Sequence, residues 1–269
     1  MANFTIRPIN TGYVPTYPKQ YHYHHSVYKY ITGISDEKEA LPVLTFLIEG
    51  EGKKILVDTG MAWTDRADKY HHPGSWQSEG EAIYEQFAKL GIACEEVDYV
   101  LFTHMHWDHI FYMDQFTNAT FIAHEREYAF ALDPIPLYYK SYEHPFLGIK
   151  RPFEGIKVDT CSGEAEIVPG VRVFETFGHS PGHMSIEVDT LDGKYILGGD
   201  SAFRMANFNA IPEIGYNVTP PGRFANIIEC WRSLEITKER AESLDHILVT
   251  HETELLTRME KTPVFGLGK

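Results

Sequence analysis

The sequence predicts a mixed fold, α/β or α+β by its pattern, with mixed sheets covered by helices. Two observations carry this. Apolar, β-branched runs bounded by turn signals recur in both halves of the chain, and each set is followed by a stretch of helical period. No Gly/Ser- or Pro-rich linker interrupts the chain, so residues 1–269 are expected to form a single domain.

The first half opens with the strand candidates "FTIRPI", "VLTFLIE", "KKILVDTG" and "VDYVLFTH", with "EGEGKK" (49–54) as a hairpin turn. Between Ser78 and Leu90 the period turns helical, with Ile83, Phe87 and Leu90 on one face and Glu81, Glu85 and Lys89 on the other. A further helix is expected to begin at "HIFYMDQF" (109–116), followed by a strand at "NATFIAH" and a helix at "EREYAFAL". The irregular aromatic stretch 133–153 predicts a lid or a disordered insert. Strands return at "EAEIVPGVRVFETF", "MSIEVDTLDGKYILGGD" and "HILVTH", with Asp192-Gly193 as a two-residue turn. Residues 221–242 predict one or two helices with proline in the first turn.

With 43% hydrophobic residues, 16 Phe, 16 Tyr and 4 Trp, the chain has ample material for an extended core. Its net charge of −14 argues against nucleic acid, whose binders carry basic surfaces that release counterions. Three widely spaced cysteines make no disulfide framework, and the start "MANFTIRPINTGYVP" lacks a basic segment followed by an apolar one. A cytoplasmic location without membrane association is therefore expected.

The chemistry concentrates in "THMHWDH" (103–109), directly after an apolar run. His104 and His106 are two apart, which puts both imidazoles on one side of an extended segment. Asp108 and His109 follow where the chain turns and so point at a second centre. Candidate ligands recur after other apolar runs: His179 and His183 in "GHSPGH", Asp200 in "GGDS" and His251 in "VTHE". Spacing alone leaves His179 and His183 as alternatives.

These stretches, together with "ILVDTGM" (55–61), resemble the metallo-β-lactamase-fold hydrolases, and among them most closely the N-acyl homoserine lactonase group. The resemblance implies an α+β four-layer αββα sandwich of the metallo-β-lactamase type. It implies one metal at His104, His106 and His179, another at Asp108, His109 and His251, and Asp200 as the bridge. The ions would be two divalent metals, most often Zn2+, with Mn2+, Fe2+ or Co2+ as alternatives. His183 and Asp58 are left as supports of the site. The implied reaction opens a lactone ring by attack of metal-generated hydroxide on the carbonyl, with Asp108 or Asp200 moving the proton. Another ester, a thioester or a cyclic amide are the alternative substrates, and a metal-binding sensor or scaffold the non-catalytic reading.

One departure stands out. Three residues after the bridging aspartate the lactonase group usually has a tyrosine, whereas "DSAF" places Phe203 there. Phe203 and, as a replacement donor, Tyr216 are the substrate-binding candidates. The "YHYHH" stretch (21–25), Tyr112 and residues 136–146 are expected to line or cover the site, with His22, His24 and His25 at the surface or the pocket rim rather than on a third metal. A small lactone or related carbonyl compound is the expected partner, with a homodimer left open.

Overall fold

The computed structural model describes residues 3–268, and its architecture is two facing sheets with helices on their outer sides. The first sheet holds β1 (Thr5–Thr16), β2 (Glu39–Gly50), β3 (Lys53–Val57), β4 (Tyr99–Leu101), β5 (Thr120–His124) and β6 (Val158–Cys161) in that order. β1 to β3 pair antiparallel and β3 to β6 parallel. The second sheet runs β11 (Ile247–Val249), β10 (Gly193–Gly199), β9 (Met184–Thr190), β8 (Val171–Glu175) and β7 (Ala165–Val168), antiparallel except for the β10–β11 pair.

Alternation along the strands decides which side chains meet. Ile6, Phe46, Ile48, Ile55 and Val57 of the first sheet bury against Val173, Ile186, Val188 and Leu197 of the second. The opposite face of the first sheet, with Leu47, Leu56 and Val100, packs on Ile83 and Phe87 of α3 (Ile83–Leu90) and on Ala131 of α4 (Glu125–Leu132). Leu234 of α5 (Ile227–Arg240) covers Ile247 and Val249 on the outer side of the second sheet. Burying apolar faces on both sides of each sheet is worth roughly 25 cal/mol per Å² of apolar area, which is why four layers outlast two. Short α1 (Pro18–Tyr21) and α2 (Thr64–Arg66) lie in the loops, and α6 (Thr253–Lys261) follows β11. Among the described residues no helix is long and apolar enough to cross a membrane.

The first hairpin lies where it was expected, and other local expectations change. In the β2–β3 hairpin Gly50 pairs with Lys53, and the two loop residues take the left-handed values that a primed turn needs, φ 50° at Glu51 and 71° at Gly52. In the later hairpin the two loop residues are Leu191 and Asp192, since Gly193 already pairs with Thr190. Leu90 is 39% exposed: it sits on the last turn, beyond the reach of the core that holds Ile83 and Phe87. No helix starts at 109–116 beyond a short turn at Met113–Gln115, because the backbone there is already spent: Thr59 N–H donates to His109 O (2.8 Å) and Phe111 N–H to Gly60 O (3.1 Å). The α5 helix begins six residues after Pro221, where the Asn226 side chain accepts from the backbone N–H groups of Ile228 and Glu229. Residues 133–153 form an ordered strap with two short turns rather than a disordered insert.

Candidate metal centre

The ends of β4, β8, β10 and β11 open onto one edge of the two sheets, and the loops leaving them carry His104 to His109, His179, Asp200 and His251. All seven side chains are buried or nearly so. Donor atoms of His104, His106 and His179 lie within 4.8 Å of one another, as do those of Asp108, His109 and His251, and those of His104, His109 and Asp200. The third group links the first two. Asp200 Oδ2 sits 3.4 Å from His179 Nε2 and 3.2 Å from His251 Nε2, so one carboxylate faces both sets.

Hydrogen bonds on the far side of the rings fix which nitrogen faces inward. Asp58 accepts from Thr103 N–H and from Thr103 Oγ1 (2.8 Å each), so that hydroxyl is left to accept from His104 Nδ1 (3.0 Å). Asp58 Oδ2 also accepts from His109 Nδ1 (2.8 Å), and Pro42 O accepts from His251 Nδ1 (2.7 Å). In each ring Nδ1 thereby carries a proton, and Nε2 is the nitrogen that faces into the cluster. Asp58 itself takes a left-handed φ of 60°, a conformation that aspartate tolerates better than most residues, and this turns its carboxylate back on the loop. His183 lies outside the three groups. Its Nδ1 meets Thr176 Oγ1 (2.8 Å), and its Nε2 accepts from the Asp200 backbone N–H (3.1 Å), so it holds the loop of the carboxylate that faces both sets.

The donor set fits cations. His104 Nε2 and His179 Nε2 each stand at hydrogen-bond distance, 3.0 Å, from His106 Nδ1, so three inward ring nitrogens converge. His109 Nε2 and Asp200 Oδ1 are buried without a hydrogen-bond partner. Burial pushes the His104 and His106 imidazoles well below the usual histidine range and His179 down to about 4, the neutral state a metal ligand needs. For His109, burial is outweighed by Asp58, Asp200 and Asp108, which raise it well above the usual range; Asp200 and Asp108 likewise raise His251. Burial opposes charge on Asp200, yet His251, His109 and His179 hold its carboxyl well below the usual range. The carboxylates thus gather positive charge to themselves, here as protons on imidazole.

Above the cluster opens a cleft of about 350 Å³, walled by Val14, Leu41, Trp107 and Phe203 among others. Phe203 stacks on His251 (ring centroids 5.4 Å apart) and meets Tyr21 edge-on (6.2 Å). Tyr21 also lines the cleft, whereas Tyr216 does not: its ring packs edge-on against Trp231 at 4.8 Å. Apart from Asp108 and Asp200, the carboxylates stay out of the wall, whose remaining charged side chains are Lys140 and Arg223. Tyr112 points elsewhere and donates to Gln77 Oε1 (2.6 Å). His22, expected at the surface or rim, is buried against Thr16 Oγ1 (3.0 Å), and His24 caps a short turn.

Residues 39–240 match the metallo-beta-lactamase superfamily. The chain belongs to that superfamily. Within it, the chain is 30% identical over 187 residues to an N-acyl homoserine lactonase of Bacillus thuringiensis, covering 66% of this chain and 71% of that one. It is 27% identical over 242 residues to the N-acyl homoserine lactonase AttM of Rhizobium radiobacter, covering 84% and 87%. Among solved structures, a quorum-quenching N-acyl homoserine lactone lactonase superposes with a TM-score of 0.73 at 23% identity, over 97% of this chain and 96% of that one. An N-acyl homoserine lactone hydrolase with its product N-hexanoyl-L-homoserine at the catalytic metal centre gives 0.74 at 22%, over 96% and 97%. These superpositions establish the four-layer α+β sandwich of the superfamily.

Two residues of the cleft wall, His71 and His72, carried no sequence signal beyond a histidine pair before a Pro-Gly turn. His71 stacks flat on Trp107, with ring centroids 4.9 Å apart and planes 6° apart.

Proposed function

We propose that this chain is a dinuclear-metal hydrolase that opens a lactone ring, an N-acyl homoserine lactone or a related lactone. The observation that carries it is the seven-residue cluster, whose inward ring nitrogens and carboxylates face one another at the floor of a cleft with both apolar and polar walls. The similarity to lactonases from two organisms supports the substrate class. His104, His106 and His179 would hold one cation, Asp108, His109 and His251 the other, with Asp200 between them. Two such divalent ions supply a water acidic enough to ionise near neutral pH and a Lewis acid for the carbonyl.

The chain's own groups do the rest. Asp108, at 8% exposure the most open of the seven, takes the proton of the attacking water and returns it to the ring oxygen as that bond breaks; Asp200 is the second acid in reach. Phe203, Trp107 and Leu41 exclude water and hold the ring, while the Tyr21 phenol serves as the donor that Phe203 lacks. Lys140 and Arg223 favour the anionic product side of the reaction, where ring opening has created a carboxylate. The same reading takes zinc as the resident metal, residues 1–269 as one domain and the cytoplasm as the compartment. Three free cysteines suit a reducing environment.

The test is a panel of lactones, esters, thioesters and cyclic amides, each followed by acid release and scored by kcat/KM after dialysis against chelator and restoration of Zn2+, Mn2+ or Co2+. Metal-dependent ring opening with lactones ahead supports the proposal. A preference for thioesters or amides moves the substrate class, and no metal-dependent acid release on any compound removes the hydrolase reading in favour of a sensor or scaffold.

A further inference from the structure

Glu127 lies on α4, outside the proposed ligand set, and is completely buried without a cationic partner among the described residues. A lone buried carboxylate is costly unless its oxygens are satisfied. Here each oxygen accepts two hydrogen bonds. Oε1 takes the backbone N–H of Met105 (2.9 Å) and the Tyr142 hydroxyl (2.8 Å); Oε2 takes the Ser180 hydroxyl (2.7 Å) and the backbone N–H of Gly182 (2.9 Å).

The identity of the donors is what matters. Met105 stands between His104 and His106, and Ser180 follows His179, so one carboxylate ties together the two loops that carry the whole first triad. Those loops leave different sheets, β4 in one and β8 in the other, and they lie 73 residues apart where His106 and His179 meet. Tyr142 adds a third tie, since its ring packs against that of His106 with centroids 4.6 Å apart. The backbone approach is close as well: a Cβ on Gly182 would stand 2.2 Å from the Glu127 nitrogen. Asp58 plays the corresponding part on the other side, through His109 and, by way of Thr103, His104.

We propose that Glu127 is a positioning residue that sets the affinity of the His104, His106 and His179 triad for its metal by clamping the two ligand loops at a fixed separation. This rests on the reading of the triad as a metal site. It assigns no contact between Glu127 and metal or substrate.

The test compares Zn2+ affinity by chelator competition in chains that carry His251→Ala, which weakens the second site and leaves the first triad intact. Adding Glu127→Gln replaces an acceptor oxygen with a donor amide that the Gly182 or Met105 N–H cannot pair with. Affinity of the remaining site is expected to fall about 10- to 100-fold, the usual cost of losing a group that orients a metal ligand. Ser180→Ala and Tyr142→Phe, which each remove one donor, should fall by less. Glu127→Asp, which keeps the charge at a shorter reach, should recover part of the loss. Far-UV spectra and melting of the metal-free chains separate misfolding from misplacement. Unchanged affinity in a folded Glu127→Gln chain would overturn the clamp, as would a loss matched by a melting collapse that Ser180→Ala and Tyr142→Phe do not share in proportion. Should the His251→Ala parent bind no Zn2+ while folded, the metal-site reading itself fails, a result distinct from failure of the clamp.

Discussion

Residue by residue, the cluster was the most legible part of the chain because its candidate ligands are local: four of the seven lie within six positions, and a short stretch after a strand has few ways to point them. His106→Ala and Asp108→Asn are expected to abolish lactone hydrolysis while the far-UV spectrum is kept, since both side chains lie at the open end of the fold and outside the hydrophobic clusters. Full activity in either folded variant contradicts the proposed roles. The replacement for the missing phenol was half legible: the stretch 21–25 was expected at the site and its Tyr21 lines the cleft, but the candidate named as donor, Tyr216, does not. Tyr216 follows Asp200 by 16 residues, but the loop carries it to Trp231, whereas Tyr21, 179 residues before Asp200, reaches the cleft from the first sheet's side. Removing the phenol with Tyr21→Phe should lower kcat/KM by about 10²-fold, the scale for one donor acting in the transition state. Phe203→Tyr should change it by less than about threefold in the presence of Tyr21, a comparison made on one lactone by steady-state kinetics. A large gain from Phe203→Tyr with no loss from Tyr21→Phe would reverse the assignment. Glu127 gave no sign in the sequence, because a glutamate in a helix of ordinary period reads as a solvated face and only the fold brings four donors to it.

At the scale of elements, strands and turns were readable where alternation and turn chemistry act over a few residues. Helix starts failed where the backbone was claimed from elsewhere. The stretch 109–116 has helical composition, yet its N–H and C=O groups pair with residues 59 and 60; the segment after Pro221 is held by Tyr21 O and Gly178 O before α5 can begin. The strap 133–153 shows the same principle in the other direction. Its composition suggests mobility, but three of its residues are tied down: Lys140 O accepts from His71 Nδ1 (2.7 Å), Ser141 O from Trp107 N–H (2.8 Å), and the Glu143 carboxylate is buried between His71 Nε2 (2.7 Å) and the Arg66 guanidinium. Since Lys140, Ser141, His71 and Trp107 also line the cleft, these ties make the strap a fixed wall. Removing one partner of a buried ion pair leaves the other uncompensated. Glu143→Gln is therefore expected to raise KM about tenfold with kcat changed far less, because the wall shapes binding and not the reacting atoms. An equal fall in kcat at constant KM would place the strap in the chemistry instead.

At the scale of the whole molecule, composition and alternation pointed to two sheets sharing one core, and the structure adds that the site lies where strand ends from both sheets meet. Stability should therefore depend on those histidines of that edge that are buried as neutral rings, His22 and His183 among them. Burial, Arg204 and His251 push His22 down to about 3, and burial pushes His183 to about 3 as well. Below the ordinary histidine range the unfolded chain binds protons that the folded chain refuses, so unfolding is favoured as pH falls from 6.5 toward these folded values and stability rises again with pH across that window. Melting of the metal-free chain should move to lower temperature from pH 6.5 to pH 4.5. His22→Gln should reduce the proton uptake on unfolding in that window by about one. An unchanged slope would show that His22 is charged in the folded chain.

The two-metal site stands or falls on metal content measured against turnover. The chelator-stripped chain is titrated with Zn2+ while acid release from an acyl homoserine lactone is followed. Without metal no activity is expected; protons are released as ions displace those held on His109 and His251, and activity reaches its plateau at two equivalents per chain. Activity that survives complete stripping, or that is already maximal at one equivalent, contradicts the two-metal site.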